Sequence, residues 1–219
     1  MANSRSTVLL TGFGPFPSVP ANATSLLVPR IAEAARTAYP GINFEVRTLP
    51  TEWGAGLAHL ADLYDSLTPT VALHFGVSSR ARGFEVEARG VNRCAIVPDA
   101  AGNLPDAAAL SETGAGYLAS TVPVSAIVAR LRNRGLPAFV SRDAGAYLCN
   151  AALYTALDRS RRNASDNRIG FIHLPSSLLV DERRPQFGPH PRCPLTWRQT
   201  IDGGLEIIGA TLGREVVRR

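Results

Sequence analysis

The sequence contains no lysine, and all 23 of its basic residues are arginine. Against 18 acidic residues they leave a formal net charge of +5. The densest group, Arg159, Arg161 and Arg162, stands beside Asp158 at the end of an apolar helical pattern. Cations at a helix C-terminus complement the helix dipole, so we interpret this group as a solvated helix end. The charge pattern therefore does not indicate a nucleic-acid partner.

Long apolar segments are also missing. No stretch reaches the roughly 18 apolar residues that a membrane span needs, and residues 1–10 lack the basic start and apolar core of a signal peptide. Of the 219 residues 45% are apolar, which is enough to bury one large core. We therefore expect a single domain over residues 1–219, located in the cytoplasm and without a membrane partner.

Cysteine is scarce as well. Cys94, Cys149 and Cys193 are widely separated and show no Cys-x-x-Cys spacing. Their odd number does not fit a disulfide framework, so we interpret all three as reduced thiols.

Short apolar runs alternate with helical patterns, which is typical of an α/β fold: a mostly parallel central sheet with helices on both faces. Residues 77–122 break this rhythm with a turn-rich sequence, and we expect hairpins or an excursion there. The proline-rich residues 175–195 are predicted to be a loop. The predicted strands are 7–11, 43–49, 71–75, 137–141 and 168–173, and the predicted helices are 24–38, 53–64, 124–131, 147–158 and 201–216.

Cys149 lies where a predicted loop enters the first turn of a helix, shortly after Gly145. Unpaired backbone N–H groups and the positive end of the helix dipole favour a thiolate there, and the same N–H groups can bind an oxyanion. A free cysteine is also a common core residue, so position alone leaves simple burial open. A nucleophilic role requires a base, and an imidazole titrates in the right range.

Four histidines could supply that base. His173 ends a predicted strand, and ligand sites in open α/β sheets collect at the C-terminal ends of strands, where the Cys149 helix also begins. His74 lies within a predicted strand, and we expect it to fill a polar niche in the sheet. His59 falls on an amphipathic helix and His190 in the proline-rich loop, so both are expected at the surface.

A carboxylate is the usual group that holds such an imidazole in one tautomer. Glu85 and Glu87 both lie in the turn-rich excursion, and the residue pattern alone does not choose between them.

A series of short motifs runs in order from Thr11 to Pro175. In this order and spacing the motifs resemble the pyrrolidone-carboxyl peptidase family, also called pyroglutamyl peptidase type I. They are Thr11-Gly12-Phe13-Gly14-Pro15-Phe16 with Asn22, Leu49-Pro50, Gly76, Glu87 with Asn92, Pro98-Asp99, Ser120-Thr121-Val122-Pro123, Gly145 with Cys149-Asn150, and Gly170-Phe171-Ile172-His173-Leu174-Pro175.

The resemblance implies a cysteine peptidase that removes an N-terminal pyroglutamyl residue from peptides without a metal or cofactor. It places the nucleophile on Cys149, the base on His173 and the orienting carboxylate on Glu87. Glu85 is then expected on the opposite face of its strand, outside the triad. A homotetramer is a further expectation from the resemblance.

The same resemblance implies an apolar pocket for the pyroglutamyl ring. A lactam ring carries no ammonium group, so a dry aromatic slot selects it over charged N-termini. Backbone hydrogen bonds to the ring amide are expected near Val77. Without the resemblance, core packing would be the ordinary role of Phe13 and Phe16. The substrate-binding residues that it implies are Phe13, Phe16, Asn22, Val77, Val97 and Tyr147.

The sequence departs from the family pattern around this site. Ala88 and Arg89 follow Glu87 in place of a basic and then an apolar residue, and Asp143 replaces a small neutral residue near Cys149. Such a carboxylate could oppose the thiolate. Two alternatives therefore stay open: an amidase acting on another small lactam or amide, and a relative that only binds a ligand or partner.

The leaving side of a substrate is expected to be bound in a different way from the family pattern, because Ser176 and Ser177 replace a bulkier segment that contains proline.

Overall fold

The structure is a computed structural model that describes residues 6–16, 19, 21–178 and 193–217. His190 and most of the predicted loop at 175–195 lie outside the described residues. No helix in the described ranges is long and apolar enough to cross a membrane. The elements, in chain order, are β1 (Thr7–Phe13), α1 (Ala23–Ala38), β2 (Asn43–Leu49), α2 (Trp53–Leu67), β3 (Val71–Ser78), β4 (Phe84–Glu87), β5 (Arg89–Val91), β6 (Tyr117–Ala119), α3 (Val124–Asn133), β7 (Ala138–Ser141), α4 (Leu148–Arg162), β8 (Arg168–Pro175) and α5 (Trp197–Leu212).

Six of these strands form one sheet in the order β2-β1-β3-β8-β4-β7. Neighbouring strands are parallel except at the junction of β8 and β4, which is antiparallel. The mostly parallel sheet predicted from the sequence is therefore confirmed. The sequence pattern predicts an excursion at residues 84–87, but the structure shows that this short strand, β4, extends the main sheet, whereas β5 and β6 pair separately.

Helices cover both faces of the sheet, as the sequence pattern predicts. On one face α1, α3 and α5 pack through residues such as Leu27, Ile127 and Ile207. On the other face α2 and α4 pack through residues such as Leu60 and Leu153. Because β1, β3 and β8 are buried on both sides, their sequences are almost continuously apolar.

The final helix is displaced relative to the predicted range 201–216. It begins at Trp197, because the Thr196 side chain caps its first turn, and it ends at Leu212, because the next residue, Gly213, has a left-handed φ of 68°. Val216 extends the apolar stripe beyond the helix because it packs against the core from the segment that follows. The stripe therefore marks burial correctly but not the helix end.

Candidate active site

Cys149 is the second residue of α4 and lies in the first helical turn, where backbone N–H groups have no intrahelical acceptor. The loop before it reaches this position through Gly145, whose φ is 80°. The thiol contacts the end of β3 closely, since a methyl group on Gly76 would lie 2.9 Å from the Cys149 Sγ. A side chain at residue 76 would displace the sulfur atom.

His173 reaches the thiol because its position on β8 is in register with Gly76 on β3. Its imidazole interacts with the Cys149 side chain, and its Nδ1 lies 2.8 Å from the Oε1 of Glu87. His173 is 5% exposed and Glu87 is fully buried, so water competes little for these contacts. The fold thus brings together the three residues that the resemblance selects.

The pKa of His173 reflects two opposing influences. Burial of the ring acts to lower the pKa, while the charge of Cys149 and its hydrogen bond act to raise it, followed by the hydrogen bond and charge of Glu87. The net result is a pKa raised to about 10. The imidazolium is therefore the favoured form of His173 near neutral pH.

Glu87 ends β4 and directs one carboxylate oxygen to the imidazole. Its other oxygen, Oε2, is buried and has no hydrogen-bond partner among the described residues. A buried carboxylate is costly unless a cation accompanies it, and the imidazolium of His173 is that cation. The Ser120 hydroxyl donates to the backbone carbonyl of Glu87 at 2.6 Å, which fixes the end of the strand.

The expectation that Glu85 lies on the opposite face of its strand from Glu87 is wrong. Residues two apart on a strand point to the same face, so Glu85 shares the face of Glu87, and it pairs directly with His173 across the antiparallel junction. Its side chain is half-buried and lines the cavity beside the thiol. The hydrogen bond of the imidazole nevertheless goes to Glu87, which sits diagonally across from His173.

A cavity of about 570 Å³ opens beside Cys149 and His173. Phe13, Phe16 and Tyr147 line one part of it. The ring centroids of Phe16 and Tyr147 are 6.1 Å apart. This part of the cavity is an aromatic wall, as the resemblance implies.

Two of the other implied substrate-binding residues, Val77 and Asn22, also line the cavity. Val77 lines the cavity from the end of β3, and Asn22 lines it as the N-cap of α1. The Asn22 side chain also donates to the Gly14 carbonyl at 3.1 Å, so it holds the turn between Phe13 and Phe16.

Val97 is not among the residues that line the cavity. Its side chain is 40% exposed, and its carbonyl accepts a hydrogen bond from the Trp53 Nε1 at 3.0 Å. Trp53 in turn packs edge-on against Tyr147, with ring centroids 5.1 Å apart. The backbone of Val97 therefore supports the aromatic wall from behind.

Asp99 stabilises the structure next to the site, a role that the sequence did not predict. It is 1% exposed, and its carboxylate accepts from the backbone N–H groups of Trp53, Ala101 and Asn103, each at 2.9 Å. Burial acts to raise its pKa, but these backbone hydrogen bonds outweigh it and lower the pKa. Its place in a Pro-Asp turn was visible, but nothing local showed that it caps α2.

Asn150 is a second missed residue, directly after the nucleophile. Its side-chain amide donates to the carbonyls of Val91 and Arg93 at 2.8 Å and accepts from the Val91 N–H at 2.8 Å. These bonds attach the excursion to the first turn of α4. The signal available in the sequence was its position directly after a candidate nucleophilic cysteine.

Asp143 lies at the rim of the cavity and is held by its own loop. Its Oδ1 accepts from the Gly145 N–H at 3.1 Å and lies 3.8 Å from the Nη2 of Arg93. The side chain is 57% exposed. The carboxylate is therefore solvated and partnered, and it shapes the turn that leads to Cys149.

His74 fills a polar niche, as expected from its strand. Its Nδ1 lies 2.8 Å from the Thr11 hydroxyl and its Nε2 lies 3.2 Å from the Tyr64 hydroxyl. Burial lowers the pKa of this histidine to about 4, so the ring is neutral at physiological pH. His59 on α2 is half-buried and does not line the cavity.

The sequence model of the pyroglutamyl peptidase family matches residues 6–189 of this chain. A pyrrolidone-carboxylate peptidase of Chromobacterium violaceum is 41% identical over 77% of this chain and 77% of its own length. Pyrrolidone-carboxylate peptidase 1 of Ralstonia nicotianae is 34% identical over 95% of this chain and 94% of its own.

Solved structures agree with these relatives. A mutant pyrrolidone carboxyl peptidase of Pyrococcus furiosus has a TM-score of 0.80 at 25% identity, covering 94% of this chain and 98% of that one. Pyroglutamyl peptidase I of Bacillus amyloliquefaciens has a TM-score of 0.77 at 26% identity, covering 94% and 96%. By sequence and by fold, the chain belongs to the pyroglutamyl peptidase family.

Proposed function

We propose that this protein hydrolyses the amide bond that follows an N-terminal pyroglutamyl residue of a peptide. Cys149 acts as nucleophile, His173 as acid and base, and Glu87 as the positioning carboxylate. The observation that carries this proposal is the chain of contacts from Cys149 through His173 to Glu87, placed beside an aromatic-walled cavity. The relatives with this name support the substrate class.

The first half-reaction forms a thioester on Cys149. The thiolate attacks the carbonyl carbon of the pyroglutamyl residue, and backbone N–H groups in the first turn of α4 stabilise the developing oxyanion. As the carbon–nitrogen bond breaks, the imidazolium of His173 gives its proton to the leaving nitrogen. The shortened peptide departs with a free amino group, and the imidazole is left neutral.

The second half-reaction returns the enzyme to its starting state. The neutral imidazole of His173 removes a proton from water, and the resulting hydroxide attacks the thioester carbonyl. The carbon–sulfur bond breaks, pyroglutamate leaves, and the thiolate and imidazolium are restored. Through both steps Glu87 holds the Nδ1 side of the ring, so that Nε2 faces the reacting atoms.

The aromatic wall accounts for the choice of substrate. The pyroglutamyl ring is uncharged and can be buried against Phe13, Phe16 and Tyr147, whereas an ordinary N-terminus would bring an ammonium group into the same space. Burying an unpaired charge is far more costly than burying a lactam, whose amide is proposed to be bound by the backbone near Val77. The wall therefore favours a lactam over a free amino terminus.

Turnover of a chromogenic pyroglutamyl amide tests the proposal directly. We expect hydrolysis of this amide and none of the matching prolyl amide, which has the same ring size but carries a charged amine. Iodoacetamide near neutral pH should alkylate Cys149 and abolish turnover. Rapid hydrolysis of a different lactam amide instead would favour an amidase, and absence of both turnover and labelling would favour a binding role.

A further inference from the structure

The cavity has two chemically different ends. Phe13 at the end of β1 and Phe16 just after it lie at one end, whereas Glu85 on β4 and Ser141 on β7 lie at the other. In the sheet β1 and β4 are separated by β3 and β8, which carry Gly76 and His173 beside the thiol. The reacting atoms are therefore located between an aromatic end and a polar end.

This arrangement sets the direction in which a substrate lies, provided that the proposed function holds. With the pyroglutamyl ring against the aromatic wall and its carbonyl at Cys149, the leaving peptide extends over β4 and β7. The leaving nitrogen lies against His173, which protonates it. Because directly paired residues on antiparallel strands have Cβ atoms about 5 Å apart, the first side chain beyond that nitrogen comes within reach of Glu85.

Glu85 differs from the other acidic residues around the site. The Glu87 carboxylate is bonded to His173, and that of Asp143 is bonded to the Gly145 N–H and lies near Arg93. No hydrogen bond or ion pair joins the Glu85 side chain to another residue in the part of the chain that the structure describes. Its half-buried position reduces screening by water, so its attraction for a cation is stronger than that of a fully exposed carboxylate.

Arg80 also lines this cavity and, unlike the His173 imidazolium, it is not bonded to Glu87. It lies exposed in the loop after β3, and no ion pair connects it with Glu85 within the described ranges. The carboxylate of Glu85 is therefore available to a ligand.

We propose that Glu85 is a specificity residue that recognises a positively charged side chain, arginine or lysine, at the position that follows the pyroglutamyl residue of the substrate. This inference rests on the proposed function. Glu85 does not take part in bond making or breaking, and its contribution is an ion pair with the leaving part of the peptide.

A matched set of pyroglutamyl peptides tests this specificity. The peptides differ only in the residue after pyroglutamyl, which is arginine, citrulline or glutamate; citrulline has nearly the shape of arginine without the charge. For the wild-type enzyme we expect kcat/KM to be about fivefold higher with arginine than with citrulline, as one partly screened ion pair provides, and lowest with glutamate. The preference should shrink as salt concentration rises.

The variant Glu85→Gln should bring the arginine-to-citrulline ratio close to one. Asp143→Asn is the matched control, because it removes the same charge from the same cavity at a carboxylate that is already partnered, and it should keep the ratio. A second measurement does not depend on turnover: in the Cys149→Ala protein the uncleaved arginine peptide should bind about fivefold more tightly than the citrulline peptide.

The possible failures are distinguishable. If the peptides are cleaved with no preference, or if Glu85→Gln lowers all rates by the same factor, the inference is overturned while the proposed function stands. If Asp143→Asn rather than Glu85→Gln removes the preference, the charge that matters is at the rim and Glu85 is not the determinant. If none of the peptides is bound or cleaved, the proposed function fails and the inference falls with it.

Discussion

Two histidines on adjacent strands of the same sheet have opposite acid–base properties. His74 on β3 and His173 on β8 are both almost completely buried, at 0% and 5% exposed. Phe171 packs near both rings, with centroid distances of 6.4 Å to His74 and 4.8 Å to His173. Yet the pKa of His74 is lowered to about 4, and that of His173 is raised to about 10.

The difference lies in what the ring nitrogens face. The nitrogens of His74 meet two hydroxyl groups, those of Thr11 and Tyr64, which carry no charge to offset burial. His173 meets Cys149 and the Glu87 carboxylate, whose negative charges outweigh burial. Burial alone therefore produces a neutral structural histidine, and adjacent anions turn a similarly buried ring into a proton donor.

Removing the Cys149 thiol should have the largest effect on the difference between the two histidines. Cys149→Ala takes away both the nucleophile and the strongest influence that raises the pKa of His173. Hydrolysis of a pyroglutamyl amide should fall at least about 10,000-fold, and NMR titration should show a lower pKa for the ring. Cys94→Ala and Cys193→Ala should stay within about tenfold of wild type. Substantial turnover by Cys149→Ala would contradict the mechanism.

The His74 niche should make the fold sensitive to acid. Its pKa is 6.5 when unfolded and about 4 when folded, so the unfolded chain binds the extra proton between these values. The free energy of unfolding should therefore fall as pH drops below 6.5, by an amount approaching about 3 kcal/mol near pH 4.

Urea unfolding at several pH values measures this effect. His74→Asn removes the titrating ring, so the slope of stability against pH between 6.5 and 4 should be shallower than in wild type, whatever the variant's absolute stability. Equal slopes in the two proteins would show that His74 does not carry the acid sensitivity.

Removing the charge of Glu87 should bring His173 partway toward the behaviour of His74. Glu87→Gln keeps a hydrogen-bond acceptor for the ring but loses the anion, so kcat/KM should fall about thirtyfold. Activity requires the imidazolium and is lost as pH rises through its pKa; the alkaline limb of the kcat/KM profile should therefore move to lower pH. Glu45→Gln, which removes a half-buried charge on β2 that is paired with Arg47 and does not line the cavity, should change neither. An unshifted alkaline limb in Glu87→Gln would exclude the assigned role.

The smallest effect concerns the wall of the cavity rather than the charges. Phe16→Ala removes half-buried aromatic surface worth about 1–2 kcal/mol, so kcat/KM on pyroglutamyl substrates should fall about tenfold while the pH profile keeps its shape. Phe139→Ala is the control, because Phe139 is 41% exposed on β7 and does not line the cavity. A similar loss in both variants would mean that Phe16 acts only through general stability.

The sequence predicted the central strands well because strands buried on both faces are continuous apolar runs. It did not predict that β4 joins the main sheet, since Phe84–Glu87 is only four residues long and its partners lie far along the chain. The wrong face for Glu85 has a different cause, because local alternation already puts residues two apart on the same face, and only the pairing of Glu85 with His173 depends on register. The alternation of side chains along a strand follows from the local sequence. The identity of the residue that pairs with it on the neighbouring strand depends on the whole fold.

Some residues of the candidate site could be predicted from general rules, and others could not. Cys149 and His173 could be placed near each other from general rules about helix starts and strand ends. Glu87 came only from the family resemblance, because a carboxylate in a turn-rich segment carries no local sign of its partner. Asp99 and Asn150 act through buried hydrogen bonds to backbone groups distant in sequence, and such bonds leave no periodic pattern.

The bond between Glu87 and His173 joins residues 86 positions apart, and Cys149 lies between them along the chain. Closing so long a loop is entropically unfavourable until the strands on either side have docked, so we expect this bond to form late in folding. During refolding from denaturant, helical circular dichroism should therefore return before thiol reactivity does. Recovery of reactivity then marks the moment at which β4 has joined the sheet.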